Sequence, residues 1–134
     1  MRYTKISQKE FSNIRKLYES VMSNACNGLF FSEGRCYGDE IAEKALKDKE
    51  NFFAIAKKEL IDRGWVEDVS FKGDTITVKG SIEVMENEHP TCHRLRGILR
   101  HLYEVHRKER GYCVEKKCQS VGDEACVFLI EPMN

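Results

Sequence analysis

Apolar and polar residues alternate without a break from residue 75 to residue 84. A period of two places all the apolar side chains on one face of a β-strand, so the pattern predicts a half-buried strand. Val69 and Phe71 show the same alternation, and the turn sequence Lys72-Gly73-Asp74 lies between the two segments. Together they predict an antiparallel hairpin with one buried face.

The N-terminal segment has the apolar spacing of an α-helix. Ser7 and Glu10 form the capping-box pattern that opens a helix, which we expect to run from about Gln8 to Asn24. Its apolar stripe consists of Phe11, Ile14, Leu17, Tyr18, Val21, Met22 and Ala25. Such a stripe is typical of packing in a core or in a dimer.

Glycines interrupt the segment that follows this helix. Gly28, Gly34 and Gly38 predict an irregular stretch, so we expect the second helix to begin only at Asp39 and to extend through Leu46. A third helix is expected from about Lys49, ending before Gly64 at a position that suits a left-handed residue.

The last third of the chain predicts one more helix and two more strands. Pro90 suits the first turn of a fourth helix, which Gly111 ends. Strands are expected over residues 112–120 and 124–130, joined at the turn 121–123. The fold class is therefore α+β, with an antiparallel sheet of about four strands packed against about four helices.

Length and charge restrict the class of protein. A chain of 134 residues is expected to form a single domain over residues 1–134. Lys and Arg total 22, as do Asp and Glu, so the basic excess typical of nucleic-acid binding is missing and no direct binding is expected. There is no apolar run of the roughly 20 residues needed to span a membrane, and no signal-peptide pattern. We expect a cytoplasmic protein without membrane attachment.

Six cysteines in a reducing compartment are more typical of buried, metal-bound or reactive thiols than of disulfides. Cys118 and Cys126 lie at equal distance from Gly122, so a hairpin closed there places them opposite each other. Cys92 lies in the first turn of the predicted fourth helix, where the helix dipole favours a thiolate. Three thiolates close together predict a shared zinc ion.

The fourth zinc ligand is expected to be Glu115, with His89 as the substitute. Glu115 and Cys118 are three residues apart, so a regular strand points them to opposite faces. A bulge near Lys116-Lys117 would bring them to the same face. Spacing alone leaves two alternatives open, reduced buried cysteines and a Cys118–Cys126 disulfide. Buried structural roles are expected for the cysteines without a spacing partner, which are Cys26, Cys36 and Cys113.

Several motifs resemble those of the 4-vinyl reductase domain family, over nearly the whole chain. They are Gly34-Arg35-Cys36-Tyr37-Gly38, Gly64-Trp65, His89-Pro90-Thr91-Cys92, Glu115-Lys116-Lys117-Cys118, and Gly122-Asp123-Glu124-Ala125-Cys126-Val127-Phe128. The family is similar to the sensor domains of aromatic-responsive transcription activators. The resemblance implies that Cys92, Glu115, Cys118 and Cys126 bind zinc. It also implies an apolar pocket beside the metal, dimerisation through N-terminal helices, and a fold similar to the ligand-binding domain of NO-signalling and Golgi-transport proteins.

The leading hypothesis is a stand-alone sensor or accessory protein, favoured over an enzyme, that binds a small hydrophobic or aromatic molecule. A pocket walled by the second and third helices and the sheet would be lined by aromatic side chains. The candidates are Tyr37, Phe52, Phe53 and Trp65. With three cysteines and a carboxylate as ligands the zinc has no open position for water, so it would be structural.

Two further hypotheses concern catalysis and macromolecular binding. An enzyme could reduce a vinyl group of a tetrapyrrole-like substrate, although the chain has no Gly-x-Gly-x-x-Gly loop. A zinc hydrolase would need Glu115 off the metal, with His89 or His93 as base. A nucleic-acid or protein adaptor would use the basic residues of the fourth helix, which are Arg96, Arg100 and Arg107.

Overall fold

The structure is a computed structural model that describes residues 1–133. In this part of the chain four α-helices and four β-strands alternate in blocks. The helices are α1 (Gln8–Met22), α2 (Cys26–Ala45), α3 (Phe52–Asp62) and α4 (His93–Arg107), and the strands are β1 (Asp68–Lys72), β2 (Thr75–Lys79), β3 (Gly111–Lys117) and β4 (Cys126–Pro132). Short 3₁₀ segments lie at Ser23–Ala25, Leu46–Asn51 and Gln119–Val121. The expected α+β class is confirmed.

The four strands form one antiparallel sheet in the order β1-β2-β4-β3. The predicted hairpin is present, because Val69 pairs with Val78 across β1 and β2. Ile76 and Val78 are buried, and the core lies between this face of the sheet and α2, α3 and α4.

The strand expected to extend to residue 84 ends at Lys79 instead. Gly80 adopts a left-handed conformation with φ +68°, and its N–H donates to the Gln119 side chain rather than to a neighbouring strand. The chain therefore leaves the sheet there, and the alternating residues 81–84 belong to the loop that leads to α4.

The prediction that glycines delay the second helix is wrong. Gly34 and Gly38 are buried inside α2, where they allow α4 to approach closely. A Cβ atom on Gly34 would overlap the carbonyl oxygen of Arg94, and one on Gly97 would overlap that of Phe31. Close packing of two backbones therefore accounts for these glycines better than chain breaking does.

The other helix boundaries differ from expectation by a few residues. The capping box at α1 is confirmed, since Ser7 Oγ accepts from Glu10 N–H at 3.1 Å and Ser7 N–H donates to Glu10 Oε1 at 2.9 Å. The helix ends at Met22 because Ser23 turns to φ +51°. α3 begins at Phe52 rather than near Lys49. None of the helices in residues 1–133 combines the length and apolarity required to cross a membrane.

Candidate metal centre

Four side chains from three parts of the fold meet at the end of the sheet. Cys92 is the N-cap residue of α4, Glu115 lies in β3, Cys118 follows β3, and Cys126 begins β4. One ligand atom of each lies within 4.8 Å of those of the other three. All the cysteines are free thiols, and the 4.0 Å between Cys92 Sγ and Cys126 Sγ is a non-bonded distance. The disulfide alternative is therefore contradicted.

A bulge in β3 brings Glu115 to the cysteines. Glu115 pairs with Phe128, whereas Lys117 pairs with Val127, so Lys116 is an extra residue relative to β4. The extra residue reverses the alternation, and Glu115 consequently faces the same side as Cys118. The bulge that the sequence required for a glutamate ligand is confirmed.

The loop between Cys118 and Cys126 is closed by backbone hydrogen bonds. Cys118 N–H donates to Asp123 Oδ2 at 2.9 Å, and Gln119 N–H donates to Cys126 Sγ at 3.3 Å. Gly122 provides the left-handed residue of this turn, with φ +101°. The Gly-Asp pair thus fixes the positions of the two thiols that flank it.

The electrostatics of the cluster indicate that it lacks a positive charge. Hydrogen bonds from the Cys126 and Cys92 thiols lower the pKa of Cys118, while the same contacts raise the pKa of Cys92 and raise that of Cys126 to about 12. Burial, followed by proximity to Cys118, raises the pKa of Glu115 to about 9. Without a cation, the site can therefore hold only one anion at neutral pH.

Glu115 itself has no protein partner. Both carboxylate oxygens are buried, and neither has a hydrogen-bond partner among residues 1–133. An unpaired buried carboxyl group is costly unless a cation or donor compensates it. Three sulfur ligands and one carboxylate oxygen are the ligand types and number that a tetrahedral zinc site uses. The residues present fit a zinc ion.

The other candidate ligands lie outside this cluster. His89 is exposed. His93 is mostly buried, with Nε2 3.0 Å from the Pro90 carbonyl oxygen, and burial lowers its pKa to about 4. Cys26 and Cys113 are buried as expected, whereas Cys36 is exposed on α2, which corrects the expectation for that residue.

Glu83 is a structural part of the site that sequence reasoning did not find. Its carboxylate accepts from Leu95 N–H at 2.8 Å and from Arg94 N–H at 3.2 Å, and so caps the N-terminus of α4. Burial raises the pKa of Glu83 to about 7. The only signal in the sequence is that Cys92 cannot cap α4 as Ser7 caps α1, so an acceptor from elsewhere is required.

Thr91 and Ser120 connect the helix start to the turn that carries Cys118. Thr91 Oγ1 donates to the Glu83 carbonyl oxygen at 2.8 Å and lies 2.5 Å from Ser120 Oγ. Both residues are buried. Two of the three cysteines therefore stand next to residues that are hydrogen-bonded to each other, which restricts the relative motion of α4 and the hairpin.

The four predicted pocket residues form two aromatic groups at different places in the core. Tyr37 and Trp65 have ring centroids 4.9 Å apart, and Phe11 of α1 covers Trp65 at 5.8 Å. Phe52 and Phe53 are 5.1 Å apart and both pack on His106. Trp65 and Phe52 are buried.

The basic stripe of α4 is largely engaged by the chain itself. The guanidinium groups of Arg96 and Arg100 stack on the Phe31 ring, with 4.0 and 5.4 Å to its centroid, and Arg107 pairs with Asp74. An open groove of about 640 Å³ runs between α2 and α4 beside these residues. None of the four predicted pocket residues lines it.

These features define an α+β domain in which a three-cysteine, one-carboxylate centre joins a helix to a hairpin. Residues 74–132 match the family model of the vinyl-4-reductase domain, and the resemblance to the 4-vinyl reductase domain family is confirmed over that segment. No curated protein sequence matches the chain significantly.

Two solved structures share the fold over almost the whole chain. One is the phenol-responsive sensory domain of the transcription activator PoxR with phenol, at TM-score 0.83 and 17% identity, covering 98% of this chain and 77% of that one. The other is a vinyl-4-reductase family protein from Methanocaldococcus jannaschii, at TM-score 0.71 and 18% identity, covering 99% of this chain and 85% of that one. At such identities the likeness establishes the fold.

Proposed function

We propose that this chain is a zinc-containing domain, a cytoplasmic sensor or accessory protein, that binds a small hydrophobic or aromatic molecule. The observation that carries the proposal is the convergence of Cys92, Cys118, Cys126 and the unpaired Glu115 within 4.8 Å. The family match over residues 74–132 and the fold shared with a phenol-responsive domain support the sensory role.

Zinc would serve as a structural ion in this proposal. Three sulfurs and one carboxylate oxygen complete a tetrahedron and leave no position for a reactive water. The ligands come from the start of α4 and from both strands of the β3–β4 hairpin. The bound ion would therefore hold the helix against the sheet.

The ligand pocket is proposed at Tyr37 and Trp65, with Phe52 and Phe53 continuing the aromatic wall deeper in the core. In the present structure the Phe11 ring lies against Trp65. Phe11 is one of only two buried residues among the 15 of α1. An aromatic ligand can take the place of this ring if α1 moves outward, because little else of the helix is buried.

The protein is further proposed to form a homodimer through the outer face of α1. That face exposes Leu17 (60%), Tyr18 (40%) and Val21 (73%), which recur at the i, i+1, i+4 positions of one helical stripe. Leu29 of α2 is also exposed, at 56%. An apolar stripe of this kind is typical of a helix that packs on a second helix, and a second copy provides an identical stripe.

Native mass spectrometry of the purified protein tests the metal centre. We expect one zinc ion per chain, and loss of that ion in Cys118→Ser and in Cys126→Ser. Cys36→Ser is the matched control, because Cys36 is exposed and lies outside the cluster. A folded wild-type protein without metal, or equal zinc in all the variants, would contradict the proposal.

Fluorescence of the only tryptophan, Trp65, tests the ligand site. Phenol added to the zinc-loaded protein is expected to change the emission in a saturable manner, because the ligand replaces the Phe11 ring on the indole. No saturable response to phenol or to other simple aromatic compounds would exclude the proposed aromatic pocket at this position.

A further inference from the structure

Arg15 is a buried cation that the protein leaves without hydrogen bonds. The residue is only 3% exposed, and none of its three guanidinium nitrogens has a hydrogen-bond partner among the described residues. Glu19 Oε1 lies 2.8 Å from Nε, but the Glu19 side chain is 35% exposed and leaves both terminal nitrogens unpaired. A guanidinium has five donors in a fork that matches a carboxylate, so an unused buried fork is a strong feature.

The neighbouring acidic groups do not supply the missing partner. Glu83 and Glu33 both bind Arg94, at 3.4 and 2.7 Å, and Glu83 also caps α4. A cavity of about 10 Å³ adjoins Arg15, enough for no more than a water molecule. Its lining residues are Phe11, Arg15, Phe30, Glu83, Met85, Thr91 and Arg94. The surroundings are therefore aromatic, with one cation that is not matched.

Arg15 and Phe11 are on the same face of α1, one turn apart, and are the two buried residues of that helix. Phe11 lies on Trp65 at 5.8 Å. The helix ends at Ser23, a non-glycine residue held at φ +51°, which is a strained joint of the kind found at hinges. An outward movement of α1 would free the Trp65 surface and open the cavity beside Arg15 together.

We infer that Arg15 recognises an anionic group, in the first instance a carboxylate, on an aromatic ligand whose ring occupies the place of Phe11 at Trp65. This inference rests on the proposed aromatic pocket and adds the chemical class of its ligand. The carboxylate accepts hydrogen bonds from the two terminal nitrogens of Arg15, and the ring contacts Trp65. Arg15 is thus a specificity-determining residue.

The test compares benzoate, its neutral isostere benzamide, and phenol by Trp65 fluorescence of the zinc-loaded full chain. We expect wild type to bind benzoate at least about tenfold more tightly than benzamide, since a hydrogen bond to a charged group contributes that much. In Arg15→Met this preference is expected to disappear while phenol binding and zinc content remain unchanged. Lys16→Met is the matched control, because Lys16 is an exposed neighbouring cation and the preference must survive there.

The outcomes separate this inference from the proposed function. Equal binding of benzoate and benzamide overturns the role of Arg15, while saturable phenol binding keeps the aromatic pocket. No binding of any of the three overturns both. Loss of zinc from Arg15→Met would assign the residue to the metal centre and also overturn the inference. If Arg15→Met does not fold, Arg15→Gln replaces it, and a benzoate preference that persists in that variant counts against Arg15.

Discussion

Glu115 is the residue that distinguishes a metal centre from a group of buried thiols. Three reduced cysteines can share hydrogen bonds, and Cys118 does accept from its two neighbours. A carboxyl group whose oxygens are both buried and unpaired gains nothing from that arrangement. A divalent cation would engage the carboxylate and keep all three thiols deprotonated, so Glu115 has a physical reason to be there only if a cation binds.

Replacing Glu115 by Gln is therefore expected to weaken zinc binding by at least roughly tenfold, or about 1.4 kcal/mol. The amide keeps the size of the side chain but loses the negative charge that attracts the ion. Competition with a chromophoric chelator measures the affinity. Glu124→Gln is the control, because Glu124 is exposed in the same turn and lies outside the cluster. Unchanged affinity in Glu115→Gln would remove the glutamate from the ligand set.

Glu83 gives the fold a dependence on pH. Burial raises its pKa from 4.5 to about 7, so between these values the folded state holds a proton that the unfolded state has released. Stability that derives from this group is present at low pH and is lost as pH rises through about 7.

The prediction is made for the difference between wild type and Glu83→Gln, which cannot titrate. As pH rises from about 5 to 8, wild type should lose stability relative to the variant by on the order of 2–3 kcal/mol. Urea unfolding at a fixed excess of zinc measures both proteins at each pH. A difference that does not vary with pH would show that Glu83 titrates normally.

At the scale of elements, the pair α2 and α4 depends on glycines that permit backbone contact. Cβ atoms at Gly34 and Gly97 would each overlap a backbone carbonyl of the other helix. Backbone atoms cannot move aside as flexible side chains do, so a methyl group at either position forces the helices apart. Because Cys92 caps α4, such a shift would also reach the metal centre.

Gly34→Ala is expected to lower the free energy of unfolding by about 1–3 kcal/mol or more through overpacking. Gly28→Ala is the matched control in the same helix, since nothing lies within 4 Å of a Cβ there. That substitution should be neutral or stabilising by up to about 1 kcal/mol, because alanine favours the helix. Equal effects of the two substitutions would show that close helix packing is not the reason for Gly34.

Local patterns predicted the elements whose cause is local. The capping box at Ser7, the hairpin around Gly73 and the spacing of Cys118 and Cys126 about Gly122 all depend on residues close in sequence. The glycines of α2 were misinterpreted because their reason is a contact with α4, about 60 residues away. Glu83 was missed for the same reason, since its alternating neighbours predict a strand, whereas Gly80 and the empty cap of α4 turn that segment into a loop.

At the scale of the whole molecule, α1 is the element with two different faces. Its inner face provides Phe11 and Arg15 to the core, and its outer face exposes the stripe that contains Leu17 and Val21. If the stripe forms the dimer interface, a movement of α1 caused by ligand binding would be transmitted to the second copy. The proposed pocket and the proposed dimer would then be coupled through one helix.

Charges on the outer face of α1 should therefore separate the dimer without unfolding the subunit. In the double variant Leu17→Asp, Val21→Asp two carboxylates per chain would face their copies across the interface, where burial of unpaired charge is strongly unfavourable. We expect sedimentation equilibrium to give twice the 15.6 kDa chain mass for wild type and the single mass for the variant. Leu46→Asp, at an exposed leucine beyond the end of α2, should remain dimeric. A monomeric wild type, or a dimeric double variant, would show that the exposed stripe on α1 has another purpose.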